Sequence, residues 1–285
     1  MLIIIQKLFW LFLMIIITII GLIYIPCAYI IRMIDEKIQY KIASEFFKYW
    51  LGAFNKILSQ VYIMEGDNII DKNKNYFIIS NHVSESDFLV FVNLFKNTNS
   101  YKYLRFVIKS QLKKYPILFN ILDLLGFLFV ERNYNLDKTI IENHMQKINK
   151  SGMSANLILF PEGTIFNQNT LNKSRNFRCA NNLHELNYVL TPKHKGFECI
   201  LKEIKNSYLN ELLDITFAYA DRNEPSVFDI IFTNKKFKIY YKMEIIDVNK
   251  IEDSKQFLCS RWDLKENWLG NIFSTKNSEE LKCLN

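Results

Sequence analysis

Cysteine, glycine and histidine are all scarce in this chain, and each shortage removes a class of chemistry. The five cysteines, Cys27, Cys179, Cys199, Cys259 and Cys283, form no Cys-x-x-Cys pair and are odd in number. Neither a zinc site nor a disulfide framework is indicated, and a reducing environment fits best. The eight glycines form no Gly-x4-Gly-Lys-Ser/Thr loop and no Gly-x-Gly-x-x-Gly turn, so backbone cradling of phosphate is not signalled. A Gly-x-Ser-x-Gly elbow is missing too, which argues against a nucleophilic serine of the α/β-hydrolase kind. There is no internal repeat, low-complexity tract or glycine-serine linker. One sizeable domain is therefore expected in the 285 residues once any membrane segment is set aside.

Such a segment is present. From Leu8 to Ile31 run 24 residues without a charge; as a helix they rise about 36 Å against a hydrocarbon core of about 30 Å. The run is longer than the apolar core of a secretory signal and ends at Pro26, Tyr29 and Arg32 without a small-residue cleavage site. Residues 1–34 are read as a retained transmembrane anchor, with Pro26 offering the alternative of a kinked, membrane-embedded hairpin. Arg32, Lys37, Lys41 and Lys48 follow the span, so the positive-inside rule puts the rest of the chain in the cytosol. The sequons at Asn149 and Asn172 would then stay unmodified. A net charge of +7 and a pI near 9.0 fit an anionic bilayer; with the basic residues dispersed and no basic-aromatic motif, nucleic acid is not expected.

Residues 35–60 read as an amphipathic helix with Ile42, Phe46, Tyr49, Trp50, Phe54 and Ile57 on one side, lying either on the domain core or on the bilayer. From residue 61 onward, β-rich runs recur at 61–64, 76–80, 105–108, 127–130, 157–160, 215–218 and 237–246. Helical stretches such as 87–95 and 137–149 separate many of them. Strands alternating with helices predict an α/β sandwich on a mostly parallel sheet spanning 61–285. The apolar run from Tyr115 to Val130 is read as core.

The chemistry concentrates in Asn81-His82-Val83-Ser84-Glu85-Ser86-Asp87. Four residues separate the histidine and the aspartate, which can meet across a tight strand-to-helix turn but diverge by about 140° on a continuous helix. There the carboxylate accepts one ring N–H and leaves the other nitrogen free to take a proton. Ser84 or Ser86 is available to cap the helix that follows. No third ligand stands at metal-binding spacing. The other histidines, His144, His184 and His194, have no such setting and are assigned no chemistry.

Three more blocks follow in order: Gly126-Phe127-Leu128-Phe129-Val130-Glu131-Arg132, Phe160-Pro161-Glu162-Gly163-Thr164 and Leu190-Thr191-Pro192-Lys193. Together the four blocks, over residues 76–200, resemble the glycerophospholipid acyltransferase superfamily, that of the 1-acylglycerol-3-phosphate acyltransferases. Lys193 to Phe197 and Lys173 to Phe177 look most like its lysocardiolipin and lysophosphoinositide branch. The resemblance implies a glycerol-3-phosphate acyltransferase-like fold and transfer of an acyl group from acyl-CoA to a lysophospholipid hydroxyl. It implies no cofactor or metal, and a place on the endoplasmic reticulum membrane. His82 and Asp87 become the catalytic residues, and Arg132, Glu162, Gly163, Thr164, Pro192 and Lys193 the substrate-binding ones. Arg132 is the leading phosphate ligand. Glu162 either meets substrate hydroxyls or serves as a structural acceptor. Lys193 and Lys195 either meet an anionic headgroup or form a solvated face. Where many relatives have an arginine after the threonine, this chain has Ile165, and Lys173 or Arg175 is left to supply that charge. Two other readings stay open: a membrane-associated lipid hydrolase using the same pair to activate water, and a lipid-binding protein without catalysis.

Overall fold

The computed structural model describes residues 2–205, 207, 209–220 and 224–282. It begins with α1 (Leu2–Ile34) and α2 (Glu36–Leu58), followed by β1 (Tyr62–Glu65), β2 (Phe77–Ser80), α3 (Phe88–Phe95), β3 (Leu104–Lys109), α4 (Pro116–Leu124) and β4 (Leu128–Val130). The second half comprises α5 (Tyr134–Ser151), β5 (Asn156–Leu159), α6 (Gln168–Ala180), α7 (His194–Ile204), β6 (Glu211–Tyr219), α8 (Val227–Phe232), β7 (Phe237–Asp247) and α9 (Ser254–Lys282).

The first two helices form an antiparallel hairpin. Its turn falls at Asp35, whose carboxylate caps α2 by accepting from the Ile38 N–H at 3.0 Å. Pro26 lies inside α1, which continues through it, so the proline does not mark the bend that the sequence offered as an alternative. The helix is long and apolar enough to cross a membrane by length and composition, yet it is docked along its whole length. Lys7 at one end donates to the carbonyls of Ile230 (2.9 Å) and Thr233 (2.7 Å). Midway, Trp50 Nε1 donates to Thr18 Oγ1 at 3.2 Å, and Tyr24 stacks on Phe46. At the other end Tyr29 donates to Asn120 and Arg32 pairs with Asp123 at 2.5 Å. The outer face carries Phe9, Phe12, Ile15, Ile19, Ile23 and Ile30, all exposed.

Residues 38–58 lie within α2, between α1 and the sheet. Phe54 and Ile57 are buried in the domain core, Phe46 and Trp50 meet α1, and Tyr49 alone of the six is exposed.

The seven strands order as β1-β7-β6-β2-β5-β3-β4. Five run parallel; β7 is antiparallel to β6, and β1 follows β7 in parallel. Alternation along each strand serves two cores. Ile78, Leu213, Ile215 and Phe217 face α2 and α3, whereas Phe77, Ile79 and Leu212 face α5, α7 and α9. The run 115–130 is core only in part: Leu124, Leu125 and Leu128 are buried, but Tyr115, Ile117 and Leu118 on the first turn of α4 are exposed.

Candidate active site

The carboxyl ends of β2, β5, β3 and β4, neighbours in the sheet, open on one edge; β2 leads into the first block, β5 into the third and β4 into the end of the second, while β3 ends at Lys109. After β2 the chain turns sharply. Asn81 pins the turn to β6, donating to the Phe217 carbonyl at 2.9 Å and accepting from its N–H at 3.1 Å. His82 Nδ1 then lies 2.9 Å from Asp87 Oδ2. The same oxygen accepts from the N–H groups of Val83 (2.7 Å) and Ser84 (2.9 Å), and Tyr219 donates to Oδ1 at 3.3 Å.

Asp87 is 1% exposed. Burial pushes its carboxyl up, while His82 and the Ser84 and Val83 amides pull it down. The net direction is upward, but the oxygen facing His82 already accepts from two amides and a ring N–H and so carries no proton of its own. It holds the Nδ1–H tautomer of His82 and leaves Nε2 without a protein partner among the described residues. The carboxylate thus bonds back into the turn, and neither serine caps α3: Ser84 Oγ accepts from the Ser86 N–H, and Ser86 donates to the Pro225 carbonyl.

The His82 ring stacks on Phe160 with centroids 4.2 Å apart and planes 13° from parallel. Phe160 forms part of the wall of a cavity of about 610 Å³. His82 itself is not in that wall; its side chain is 20% exposed beside it. Arg132, Glu162, Gly163, Thr164, Pro192 and Lys193 all line the cavity, so it gathers every substrate-binding residue named from sequence. The third block is the hub. Phe166 N–H donates to the His82 carbonyl and Lys193 N–H to the Pro161 carbonyl, each at 2.8 Å, and the Arg132 guanidinium donates to the Gly163 carbonyl. Gly163 has φ of +67°, a conformation glycine adopts without strain. A Cβ there would come 3.3 Å from Lys193 Nζ.

Glu162 is 2% exposed and takes a structural partner, accepting from Trp262 Nε1 at 3.2 Å. Its other oxygen has no hydrogen-bond partner among the described residues. Burial raises its pKa to about 8, against the Trp262 bond, the nearby Leu190 and His82 amides and the Lys265 charge. Arg132, at φ of +63°, stands with Lys193 at the rim. Partial burial lowers the pKa of each, and for Lys193 the neighbouring charges of Arg132 and Lys109 add to it. Lys109 is lowered too, by burial and then by Arg132, with the Glu85 charge opposing. Three cations thus crowd together, an arrangement relieved by an anion. Lys109 escaped the sequence reading because it lies in no motif block; its place as the last residue of a parallel strand was the available signal. Lys173 lines the cavity, whereas Arg175 bonds to Asn187 and Glu185.

Of the other histidines, His144 is half-buried, with its pKa lowered to about 4, chiefly by desolvation of the ring, and His184 lies 3.0 Å from Asp263. His194 lines the cavity, which its sequence setting did not reveal.

Comparison with known proteins defines the class. The sequence model of the acyltransferase family matches residues 61–203, half of the chain, and the chain belongs to that family. Among its relatives are enzymes of lysophospholipid acylation. It is 28% identical to probable 1-acyl-sn-glycerol-3-phosphate acyltransferase 5 of Arabidopsis thaliana, over 87% of this chain and 67% of that one. It is 30% identical to lysophosphatidylinositol acyltransferase 10 of Caenorhabditis elegans, over 59% and 44%. With lysocardiolipin acyltransferase 1 of Gallus gallus the identity is 26%, over 79% and 61%. The matches therefore span two thirds or less of these relatives' lengths. In fold, the chain resembles the crystal structure of the 1-acyl-sn-glycerophosphate acyltransferase PlsC of Thermotoga maritima, with a TM-score of 0.54 and 16% identity over 95% of this chain and 98% of that one.

Proposed function

We propose that this chain transfers a fatty acyl group from acyl-CoA to the free hydroxyl of a membrane lysophospholipid. The observation that carries the reading is the His82 to Asp87 bond at 2.9 Å beside a cation-rimmed cavity. The acceptor's phosphate sits among Arg132, Lys109 and Lys193, where a planar guanidinium and two ammonium groups offer charge-assisted hydrogen bonds. Its hydroxyl extends past Phe160 to His82 Nε2. As the oxygen attacks the thioester carbonyl, the O–H proton passes to Nε2, the C–O bond forms and the C–S bond breaks. The CoA thiolate leaves and takes the proton back. Asp87 fixes the tautomer and stabilises the imidazolium, and general-base catalysis by His82 contributes roughly 10² to 10⁴ in rate. Glu162, Gly163, Thr164 and Pro192 shape the wall against which the two substrates align.

The exposed apolar face of α1 supports attachment to a bilayer, with the endoplasmic reticulum and its cytosolic side as the proposed place. Contacts at both ends of α1 fix the hairpin to the domain that carries the site, and on this reading the acceptor need not leave the membrane to reach His82. The test is a panel of lysolipids and acyl-CoA chain lengths incubated with the purified chain in phosphatidylcholine vesicles. CoA release matched by diacyl product supports the reading; free fatty acid without acceptor acylation would replace it with hydrolysis.

A further inference from the structure

We infer that α8 is a second membrane contact, one that seats Phe228 and Phe232 among the headgroups of the leaflet that holds the outer face of α1. The inference rests on the membrane attachment proposed above and goes beyond it in naming a site far from the hairpin in sequence.

Helix α8 is amphipathic, but its outward side is the aromatic one. Ile230 and Ile231 are buried, whereas Phe228 is 65% and Phe232 is 45% exposed. The two rings, one turn apart, lie 5.0 Å from centroid to centroid and form a single apolar prominence. The pair still leaves a contiguous apolar surface in water, and such a surface is what an interface of lipid and water favours. The helix is built to be rigid. Ser226 and Asp229 form a reciprocal capping box, with Ser226 Oγ accepting from the Asp229 N–H at 3.0 Å and the Asp229 carboxylate accepting from the Ser226 N–H at 3.2 Å.

Continuity with the apolar face of α1 identifies the occupant. Lys7 is fully buried, and its ammonium ends on the carbonyls of Ile230 and Thr233, at the end of α8. These bonds fasten α8 beside the first turns of α1, whose Ile5, Leu8, Phe9 and Phe12 are exposed. After Thr233 and Asn234 come Lys235 and Lys236, both exposed, the second donating to the Gln60 carbonyl; they give charge complementary to anionic headgroups near the aromatic pair. The chain entering α8 is tied to the reaction centre: Ser86, next to Asp87, donates at 3.2 Å to the carbonyl of Pro225, two residues before the helix. Seating α8 in the lipid therefore sets the height of the His82 turn above the membrane plane.

The experiment uses the full chain in vesicles of phosphatidylcholine with one fifth phosphatidylserine, where α1 keeps every variant attached. Phe228→Trp is compared with the parent protein and with Leu264→Trp, a control on α9 where Leu264 is 54% exposed. Lipids brominated on the upper acyl chain are expected to quench the new fluorescence of Phe228→Trp by about half and to leave that of Leu264→Trp unchanged. Equal quenching at both positions, or none at 228, overturns the inference. In parallel, Phe228→Ser/Phe232→Ser is expected to lower acylation of bilayer-embedded lysolipid about tenfold while leaving turnover of a short-chain, monomeric lysolipid within about twofold. Equal loss on both acceptors contradicts the membrane role. The quenching arm needs no enzymatic activity, so failure of the proposed reaction and failure of this inference are told apart.

Discussion

Trp262 on α9 donates a hydrogen bond to Glu162 Oε1 at 3.2 Å, joining a helix outside the four motif blocks to the loop at their centre. Both residues are buried. The bond gives one of the two Glu162 oxygens a partner in a place where unmet polar groups are costly. Trp262→Phe keeps most of the packing and deletes the donor. A loss of about 1–3 kcal/mol in unfolding free energy is expected, measured by denaturant titration.

The raised pKa of Glu162 has a signed consequence. With a folded value of about 8 against about 4.3 unfolded, the native state binds the extra proton between those pH values. Stability from this group is greatest below the unfolded value and is lost as pH rises towards 8. Glu162→Gln removes the titration, so its Tm should depend less on pH between 5 and 8 and exceed that of the parent protein at pH 8.5. A parent and variant with parallel Tm profiles would show that Glu162 titrates elsewhere.

Gly163→Ala forces a side chain into φ of +67° and towards Lys193 Nζ. The left-handed conformation costs roughly 1–2 kcal/mol, equivalent to a Tm lower by about 2–8 °C for a domain of this size. Since Lys193 is displaced in the same step, KM for the phosphate-bearing acceptor should rise as well, read from initial rates at fixed acyl-CoA.

Much of this was legible before any coordinates. The β-branched and aromatic runs at 61–64, 76–80, 105–108, 127–130, 157–160, 215–218 and 237–246 each fall on one of the seven strands, displaced by a residue or two at most ends. The run at 215–218 is the exception: β6 begins at Glu211. There Asp214 breaks the apolar pattern, and in the structure it is buried between Lys265 and Arg261, a pairing across some fifty residues that no local pattern encodes. Arg105 is similar. It is fully buried against the rings of Tyr40, Phe47 and Phe127 and bonded to Ser44 at 2.7 Å, where composition alone reads a surface charge. Site residues in contiguous blocks were visible because turns are local; Lys109 and Trp262 were not, because only the sheet order and the α9 packing bring them in.

Arg132 probes the phosphate reading. Its backbone lies at φ of +63°, so Arg132→Ala keeps the backbone strain of the parent and Arg132→Gly relieves it. If the guanidinium holds the acceptor's phosphate, both variants raise KM about 10- to 100-fold, the value of one charge-assisted bond, and leave KM for a phosphate-free acceptor nearly unchanged. Equal loss on both acceptors would assign Arg132 to holding the Gly163 carbonyl in place.

Asp87→Asn tests the role of the carboxylate's charge. The oxygen that meets Nδ1 also accepts from the Val83 and Ser84 amides, so the asparagine keeps its carbonyl there and turns its NH₂ towards Tyr219; the tautomer is kept, but the charge that stabilises the imidazolium is lost. A fall in kcat of at least about 100-fold is expected, with KM little changed. A change confined to KM would mean that Asp87 only shapes the binding loop.

The most direct measurement is the rate of CoA release from acyl-CoA and lysophospholipid by His82→Ala in vesicles, beside the parent protein at equal membrane-bound amounts. Removal of the base should slow turnover by 10² to 10⁴ while the variant stays folded and attached through α1. Turnover within about threefold of the parent would mean that the proton goes elsewhere and that His82 is not the base.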